Sequence, residues 1–128
     1  MTRDDVQRWL DAYIAAWRTY DPAAIGDLFS EAAEYRFHPW DEPVRGRDAI
    51  VRAWVAPGDN ESQRDEPDAW EARYEPYAVE GDRAVAVGWS RYRAEGDTPE
   101  KLYHNCYLLE FDADGRCRGF TEFFIEQK

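Results

Sequence analysis

Four β-like segments in the second half of the chain constrain the fold more than any other feature of the sequence. They run over residues 70–79, 83–94, 102–111 and 116–126, and short turns rich in Gly, Asp and Glu separate them. Consecutive segments of this kind form an antiparallel sheet, and the helical patterns that precede them must pack against it. The sequence therefore predicts an α+β fold within one domain over residues 1–128.

Three helical segments are predicted before the strands. Apolar residues recur at steps of three and four from 6 to 17, and Thr2 with Asp5 predicts the N-terminal cap of this first helix. A second helix begins at Asp21-Pro22, because Pro suits the first helical position. The third follows Gly46 and is expected to stop at Pro57-Gly58.

The connections between these elements are also predicted. A short strand is expected over residues 34–37, directly before a loop over 38–43 in which two prolines exclude regular hydrogen bonding. Residues 58–67 are almost wholly polar, which predicts a second loop.

The charge balance limits the partners of such a domain. The 128 residues hold 16 Lys and Arg against 27 Asp and Glu, a formal net charge of −11. Nucleic acids and anionic membranes both select basic surfaces, so we expect neither as a partner. The residues after Met1 lack the apolar core of a signal peptide, and we expect a cytoplasmic protein. Cys106 and Cys117 form no disulfide framework and have no metal-ligand spacing, so no metal is expected.

Pairing Phe111 with Arg116 across the last turn predicts which residues share a face of the sheet. In that register one face carries Tyr103, Asn105, Tyr107, Phe120, Glu122 and Phe124. On the preceding segment, the bulkier set of Val85, Val87, Trp89 and Arg91 is expected to face the helices.

The opposite face is expected to carry Cys106, Leu108, Thr121 and Phe123. It lacks the charges of a water-exposed sheet face, which predicts that a second copy of the chain covers it as a homodimer. A loop or a terminal segment over the same face is the alternative.

Glu122 is the leading candidate for chemistry. It lies between Phe120 and Phe124 on a face that is expected to be buried, and a buried carboxylate must be solvated, paired or given a raised pKa. A carboxylate in an aromatic cavity is suited to act as a general base or acid. The structural alternatives are an ion pair with Arg91 and a position in water near the strand end.

The other candidates share the expected aromatic cavity. His38 is the second candidate acid–base group, with packing at the surface as the alternative. Tyr13 is expected to donate a hydrogen bond to a ligand oxygen, or else to belong to the core. Asn105 is expected to orient Glu122 or to hydrogen-bond a ligand carbonyl, with a core hydrogen-bond network as the alternative. The remaining candidate ligand-binding residues are Trp17, Tyr35, Trp40, Trp54, Trp89, Arg91, Tyr103, Tyr107, Phe120 and Phe124.

The order of elements and several motifs resemble the nuclear transport factor 2-like superfamily, and within it the SnoaL-like subgroup. The motifs include Trp17-Arg-Thr-Tyr-Asp-Pro-Ala-Ala-Ile25, Gly46-Arg-Asp-Ala-Ile50, Phe111-Asp-Ala-Asp-Gly115 and Thr121-Glu-Phe-Phe124. The resemblance implies three helices in the concave face of a strongly curved antiparallel or mixed sheet, which together form a cone with an internal pocket. It also supports the homodimer.

The resemblance implies a chemistry as well. Ketosteroid isomerases of this fold use a Tyr on the first helix, an Asp before a Pro after the first strand, and a buried acid on the penultimate strand. Tyr13, His38-Pro39 and Tyr107 stand at these places, so the base has become His and the acid a phenol. Polyketide cyclases of the SnoaL type use a pocket carboxylate or His, a role open to Glu122 or His38.

Together with the resemblance, these features predict a protein with a pocket for a small molecule. The first hypothesis for its function is a cofactor-free isomerase or cyclase that uses a carboxylate or His as acid–base group on a small apolar or carbonyl-containing substrate. The alternative is a module of unknown function that binds a hydrophobic ligand without catalysis, or that only mediates interactions.

Overall fold

A computed structural model describes residues 1–56 and 65–128 and confirms the α+β architecture. Within these residues there are three helices, α1 (Arg3–Thr19), α2 (Pro22–Asp27) and α3 (Arg47–Val55). The six strands of the same residues are β1 (Phe29–Arg36), β2 (Val44–Arg45), β3 (Trp70–Glu80), β4 (Arg83–Tyr92), β5 (Lys101–Phe111) and β6 (Cys117–Glu126). They form one open, mixed sheet in the order β2-β1-β6-β5-β4-β3, in which only the pairing of β1 with β6 is parallel.

The helix starts follow the local signals in the sequence. Thr2 and Asp5 form a reciprocal capping box, in which each backbone N–H donates to the side chain of the other residue at 2.9 and 3.1 Å. Asp21 caps α2, whose first residue is Pro22. The expected helix stop at Pro57-Gly58 and most of the expected polar loop lie outside the described residues.

The first strand was predicted too short, because its inward–outward alternation is broken. It begins at Phe29 rather than at Glu34, and its register against β6 shifts between these two residues. A strand with such an irregularity does not show the period of two by which sequence patterns are identified. β2 has only two residues and gives no pattern at all.

The predicted register of the last hairpin was also wrong, by two residues. Tyr107 pairs with Glu122 and Asn105 with Phe124, because the turn is wider than expected and Arg118 is an extra residue in β6 between the partners of Phe111 and Glu110. A shift of two leaves each side chain on its predicted face. The candidate residues of β5 and β6 therefore still share the inner face, which packs against the helices.

The prediction of which β4 residues point towards the helices was wrong. Ala84, Ala86, Gly88 and Ser90 point towards the helices, and Val85, Val87, Trp89 and Arg91 lie on the outer face, since Gly88 is opposite Asn105 and Ala86 is opposite Tyr107.

The space available on the inner side of β4 explains this orientation. A Cβ atom on Gly88 would lie 2.6 Å from the Tyr74 ring and 1.9 Å from the Arg73 carbonyl oxygen. The bulky rings of β3 and β5 occupy the room over β4, so only small residues fit there.

Candidate functional site

A cavity of about 1090 Å³ opens between the helices and one end of the inner sheet face. Its walls come from α1 and α3 on one side and from β3, β4, β5 and β6 on the other. The predicted site residues that line it are Tyr13, Trp17, Tyr35, Trp54, Tyr103, Asn105, Tyr107, Glu122 and Phe124. A volume of this size can hold a small organic molecule.

Glu122 provides the most unusual ionisable group of this cavity. It lies on β6 opposite Tyr107, and enclosure by the cavity walls raises the pKa of its carboxyl from 4.5 to about 7. The nearby His38 opposes the shift. The carboxylate forms no ion pair within the described residues, and the alternative of a pair with Arg91 is excluded, because Arg91 lies on the outer face.

Phenol groups surround this carboxylate. Burial raises the pKa values of Tyr13, Tyr35, Tyr74 and Tyr107 above the usual range, and the charge of Glu122 contributes to each of these shifts. Their hydroxyl groups are therefore protonated at neutral pH and available as donors. The cavity thus combines a carboxyl that titrates near neutrality with several hydrogen-bond donors.

Two polar atoms of the cavity wall are buried without a partner among the described residues. They are the indole Nε1 of Trp54 and the hydroxyl oxygen of Tyr74. The hydroxyls of Ser90 and Tyr107 lie near the Tyr74 oxygen, but neither meets the geometry of a hydrogen bond. Burying a polar group without a hydrogen bond has a free-energy cost, so such groups are uncommon in folded proteins. Both can donate to an acceptor oxygen of a bound molecule.

Asn105 is oriented by a hydrogen bond across the sheet. Its Oδ1 accepts from the hydroxyl of Ser90 at 3.1 Å, and both side chains are buried. Because this bond uses the amide oxygen, the NH₂ group is the part of Asn105 that can donate to a ligand.

His38 lies beside the cavity rather than in its wall. Its Nδ1 is 2.9 Å from the carboxylate of Asp41, and its ring stacks on Trp40 and contacts Phe124 at centroid distances of 4.8 and 5.5 Å. Since Phe124 lines the cavity, the imidazole is close enough to Glu122 to influence its pKa electrostatically.

Four of the predicted ligand-binding residues lie elsewhere. Trp40 is 79% exposed in its irregular loop. Trp89 and Arg91 lie on the outer face, where Arg91 pairs with Glu71 at 3.1 Å. Phe120 is fully buried, stacked on Tyr35 at 4.3 Å, and fills the core. Trp89 and Arg91 were predicted on the wrong face of β4, and Trp40 points into solvent from its loop. Phe120 is on the predicted face, but it lies too far along β6 to reach the cavity.

Several cavity residues were not predicted from the sequence, among them Tyr74, Ser90, Tyr92 and Asp65. Tyr74 and Ser90 could have been predicted. Ser90 points inwards once the inner face of β4 is assigned correctly, and Tyr74 lies near it because it pairs with Gly88 on the same face. Asp65 stands in a polar segment without periodicity, and no sequence signal marked it.

Residues 1–56 and 65–128 contain neither a candidate metal site nor a candidate membrane-spanning helix. No group of three or more His, Cys, Asp or Glu side chains there is arranged to hold a metal ion. None of the helices there has the length and apolar character needed to span a membrane.

Comparisons with known proteins identify the family. A family model described as the SnoaL-like domain matches residues 10–120, whereas no curated protein matches the sequence. An NTF-2-like protein of unknown function from Burkholderia xenovorans LB400 has a similar structure, with a TM-score of 0.68 and 17% identity over 98% of this chain and 86% of that chain. An LEH-like epoxide hydrolase from M. tuberculosis gives a TM-score of 0.65 and 12% identity over 96% and 84%.

Similarities at these identities concern the fold alone. They confirm the predicted arrangement of helices on a curved sheet, which in this family fits a protein with a pocket for a small molecule. Because the family model matches most of the chain, residues 10–120 of 128, the chain belongs to the SnoaL-like family of the nuclear transport factor 2-like superfamily.

Proposed function

We propose that this chain is a cofactor-free acid–base enzyme of the isomerase or cyclase kind, acting on a small, largely apolar substrate that contains a carbonyl group. The proposal depends on Glu122. Its carboxyl group is unpaired among the described residues, lies in the wall of an aromatic cavity and has a pKa of about 7. A group that titrates near neutrality can both accept and return a proton under ordinary conditions.

The hydrogen-bond donors of the cavity stabilise the intermediate of the proposed reaction. Glu122, as the carboxylate, removes a proton from the carbon next to the carbonyl group. The electron pair of the broken C–H bond forms a C=C bond, and the π pair of the carbonyl group moves onto its oxygen. Trp54, Tyr74 and Asn105 supply N–H and O–H groups for the resulting enolate oxygen. In a β,γ-unsaturated ketone, return of the proton to the far carbon of the conjugated dienolate completes an isomerisation. In a dicarbonyl substrate, attack of the enolate carbon on the second carbonyl gives an alkoxide, which takes the proton back from Glu122 and completes a cyclisation.

His38 has a supporting role in this proposal. A protonated imidazole beside the cavity lowers the pKa of Glu122, and the hydrogen bond to Asp41 fixes the ring. His38 therefore adjusts the fraction of Glu122 that is ionised, and it remains the second candidate for the acid–base group.

The test uses hydrogen exchange, which needs no knowledge of the natural substrate. Small cyclic ketones are incubated with the protein in D₂O, and loss of the α-hydrogen signal is followed by NMR. We expect exchange above the buffer rate, a fall of ~100-fold or more in Glu122→Gln, and no change in Glu126→Gln. Glu126 is the matched control, because it lies on the same strand and face but pairs with Lys128 outside the cavity.

The outcomes separate the two candidate functions. Equal exchange rates in Glu122→Gln and in the wild type would remove Glu122 from the mechanism. Ketones that bind without any exchange would favour the alternative, a non-catalytic carrier of hydrophobic ligands, which the many aromatic rings of the cavity wall also suit.

We also propose that the outer face of the sheet joins two copies of the chain. Val87, Cys106 and Phe123 lie side by side on this face, and Leu108 and Phe123 are 45% and 39% exposed. A contiguous apolar patch of this kind is unfavourable in water, and a second copy would cover it symmetrically. Leu108→Glu should convert dimers into monomers in sedimentation, with Ala113→Glu in an exposed turn as the control. A wild-type monomer would refute the dimer.

A further inference from the structure

A second carboxylate, Asp65, lines the same cavity at the segment that precedes β3. The indole Nε1–H of Trp17 donates to its Oδ2 at 3.0 Å, and its backbone N–H donates to the hydroxyl of Tyr20 at 3.1 Å. Tyr92 is also close, since the charge of Asp65 helps to raise the pKa of this phenol. Asp65 is thus a fixed, half-buried acid surrounded by aromatic side chains.

The charges of the cavity wall are unequal. Its described residues include four acids, Asp65, Glu66, Glu95 and Glu122, but only two bases, Arg93 and Lys101. Both bases are exposed, and Arg93 approaches Glu71 at 3.8 Å. The whole chain has a net charge of −11, which adds to a negative potential at the cavity. An anionic ligand would be repelled, whereas a cation would be attracted.

Aromatic faces next to a carboxylate are the usual way in which proteins hold organic cations. Trp17, Tyr20 and Tyr92 supply aromatic rings beside Asp65: all three line the cavity, and each directs an N–H or hydroxyl group towards Asp65. The same region already holds one cation: the guanidinium group of Arg18 lies 4.4 Å from the ring of Trp70, which in turn stacks on Trp17.

We propose that Asp65, Trp17, Tyr20 and Tyr92 form a subsite for an organic cation, so that the natural ligand carries a protonated amine or a quaternary ammonium group. The inference rests on the proposed function in that both use the same cavity. The two carboxylates then have separate tasks: Asp65 holds the charged end of the ligand, and Glu122 acts on its carbonyl end.

A matched set of three probes tests this subsite by titration calorimetry. The set consists of choline, its neutral carbon isostere 3,3-dimethylbutan-1-ol, and the anion 3,3-dimethylbutanoate. We expect choline to bind ~10-fold or more tightly than the isostere, and the anion to bind most weakly. The indole N–H signal of Trp17 should shift with choline and not with the isostere, since that group donates to Asp65.

Two variants locate the effect. Asp65→Asn should abolish the preference for choline, while Asp68→Asn, an exposed acid of the same segment outside the cavity wall, should keep it. Loss of the preference in Glu122→Gln but not in Asp65→Asn would overturn the assignment, because the cation would then pair with Glu122. If Asp65→Asn does not fold, the wild-type comparison still decides.

Equal affinity of the wild type for choline and the isostere, or tighter binding of the anion, would show that no cation subsite exists. Neither result touches the proposed function, which the ketone exchange experiment with Glu122→Gln decides independently.

Discussion

The inner face of the sheet has two ends that differ although they belong to the same strands. At the packed end, near the last hairpin, the inward side chains are buried, namely Trp9, Phe29, Leu109, Phe111 and Phe120. The ring of Trp9 contacts the three Phe rings, with a centroid distance of 5.7 Å to Phe111. At the hollow end, the cavity wall contains Trp54, Tyr74, Ser90, Asn105 and Glu122.

The difference follows the inward positions along each strand. On β5 these run from Phe111 and Leu109 through Tyr107 to Asn105, and on β6 they run from Phe120 to Glu122. Polar groups therefore begin where close packing ends. The packed end gives the stability that allows the hollow end to keep groups that are unfavourable for folding, such as an unpaired carboxyl.

The largest expected effect is a loss of stability at the packed end. Phe120→Ala should lower the free energy of unfolding by about 3–5 kcal/mol, because it leaves a cavity among rings that cannot collapse. Phe124→Ala is the control on the same strand and face at the hollow end, where the ring is already 40% exposed, and should cost much less. Chemical denaturation of both variants measures the difference. Equal losses would mean that the two ends do not differ in packing.

The next effect concerns Glu122 and depends on pH. Its pKa is about 7 in the folded protein against 4.5 ordinarily, so the folded state retains a proton that the unfolded state has released. The contribution of Glu122 to the free energy of unfolding should therefore fall as the pH rises from about 4.5 to 7.

Glu122→Gln removes this loss of stability. The variant should match the wild type at pH 4 and exceed it by at most about 3 kcal/mol at pH 8. Urea denaturation across this range measures the difference, with Glu126→Gln as the control. A constant difference at every pH would mean that the carboxyl of Glu122 titrates like one in water.

The smallest effect is a gain of stability at the hollow end. Tyr74→Phe removes a buried hydroxyl that has no partner among the described residues and should raise the free energy of unfolding by about 1 kcal/mol. Tyr77→Phe, on the same strand with an exposed ring, should have no effect. A loss of stability in Tyr74→Phe would show that the hydroxyl is hydrogen-bonded and not reserved for a ligand.

Local signals were sufficient for most of the elements. The Thr2 and Asp5 cap, Asp21-Pro22 and the alternation of β5 and β6 each depend on neighbouring residues. The sequence alone therefore predicted three helices, five of the six described strands, with β1 too short, and the inward position of Glu122. These features are properties of short segments and change little with their surroundings.

The tertiary structure decided what depends on neighbouring strands. On β4 the bulkier residues face outwards because Tyr74 and Tyr107 already occupy the space over Gly88 and Ala86. Asp65 joins the cavity through contacts with residues more than forty positions away. Sequence periodicity determines that a strand has two different faces, but which of them points inwards depends on the volume that other segments leave free.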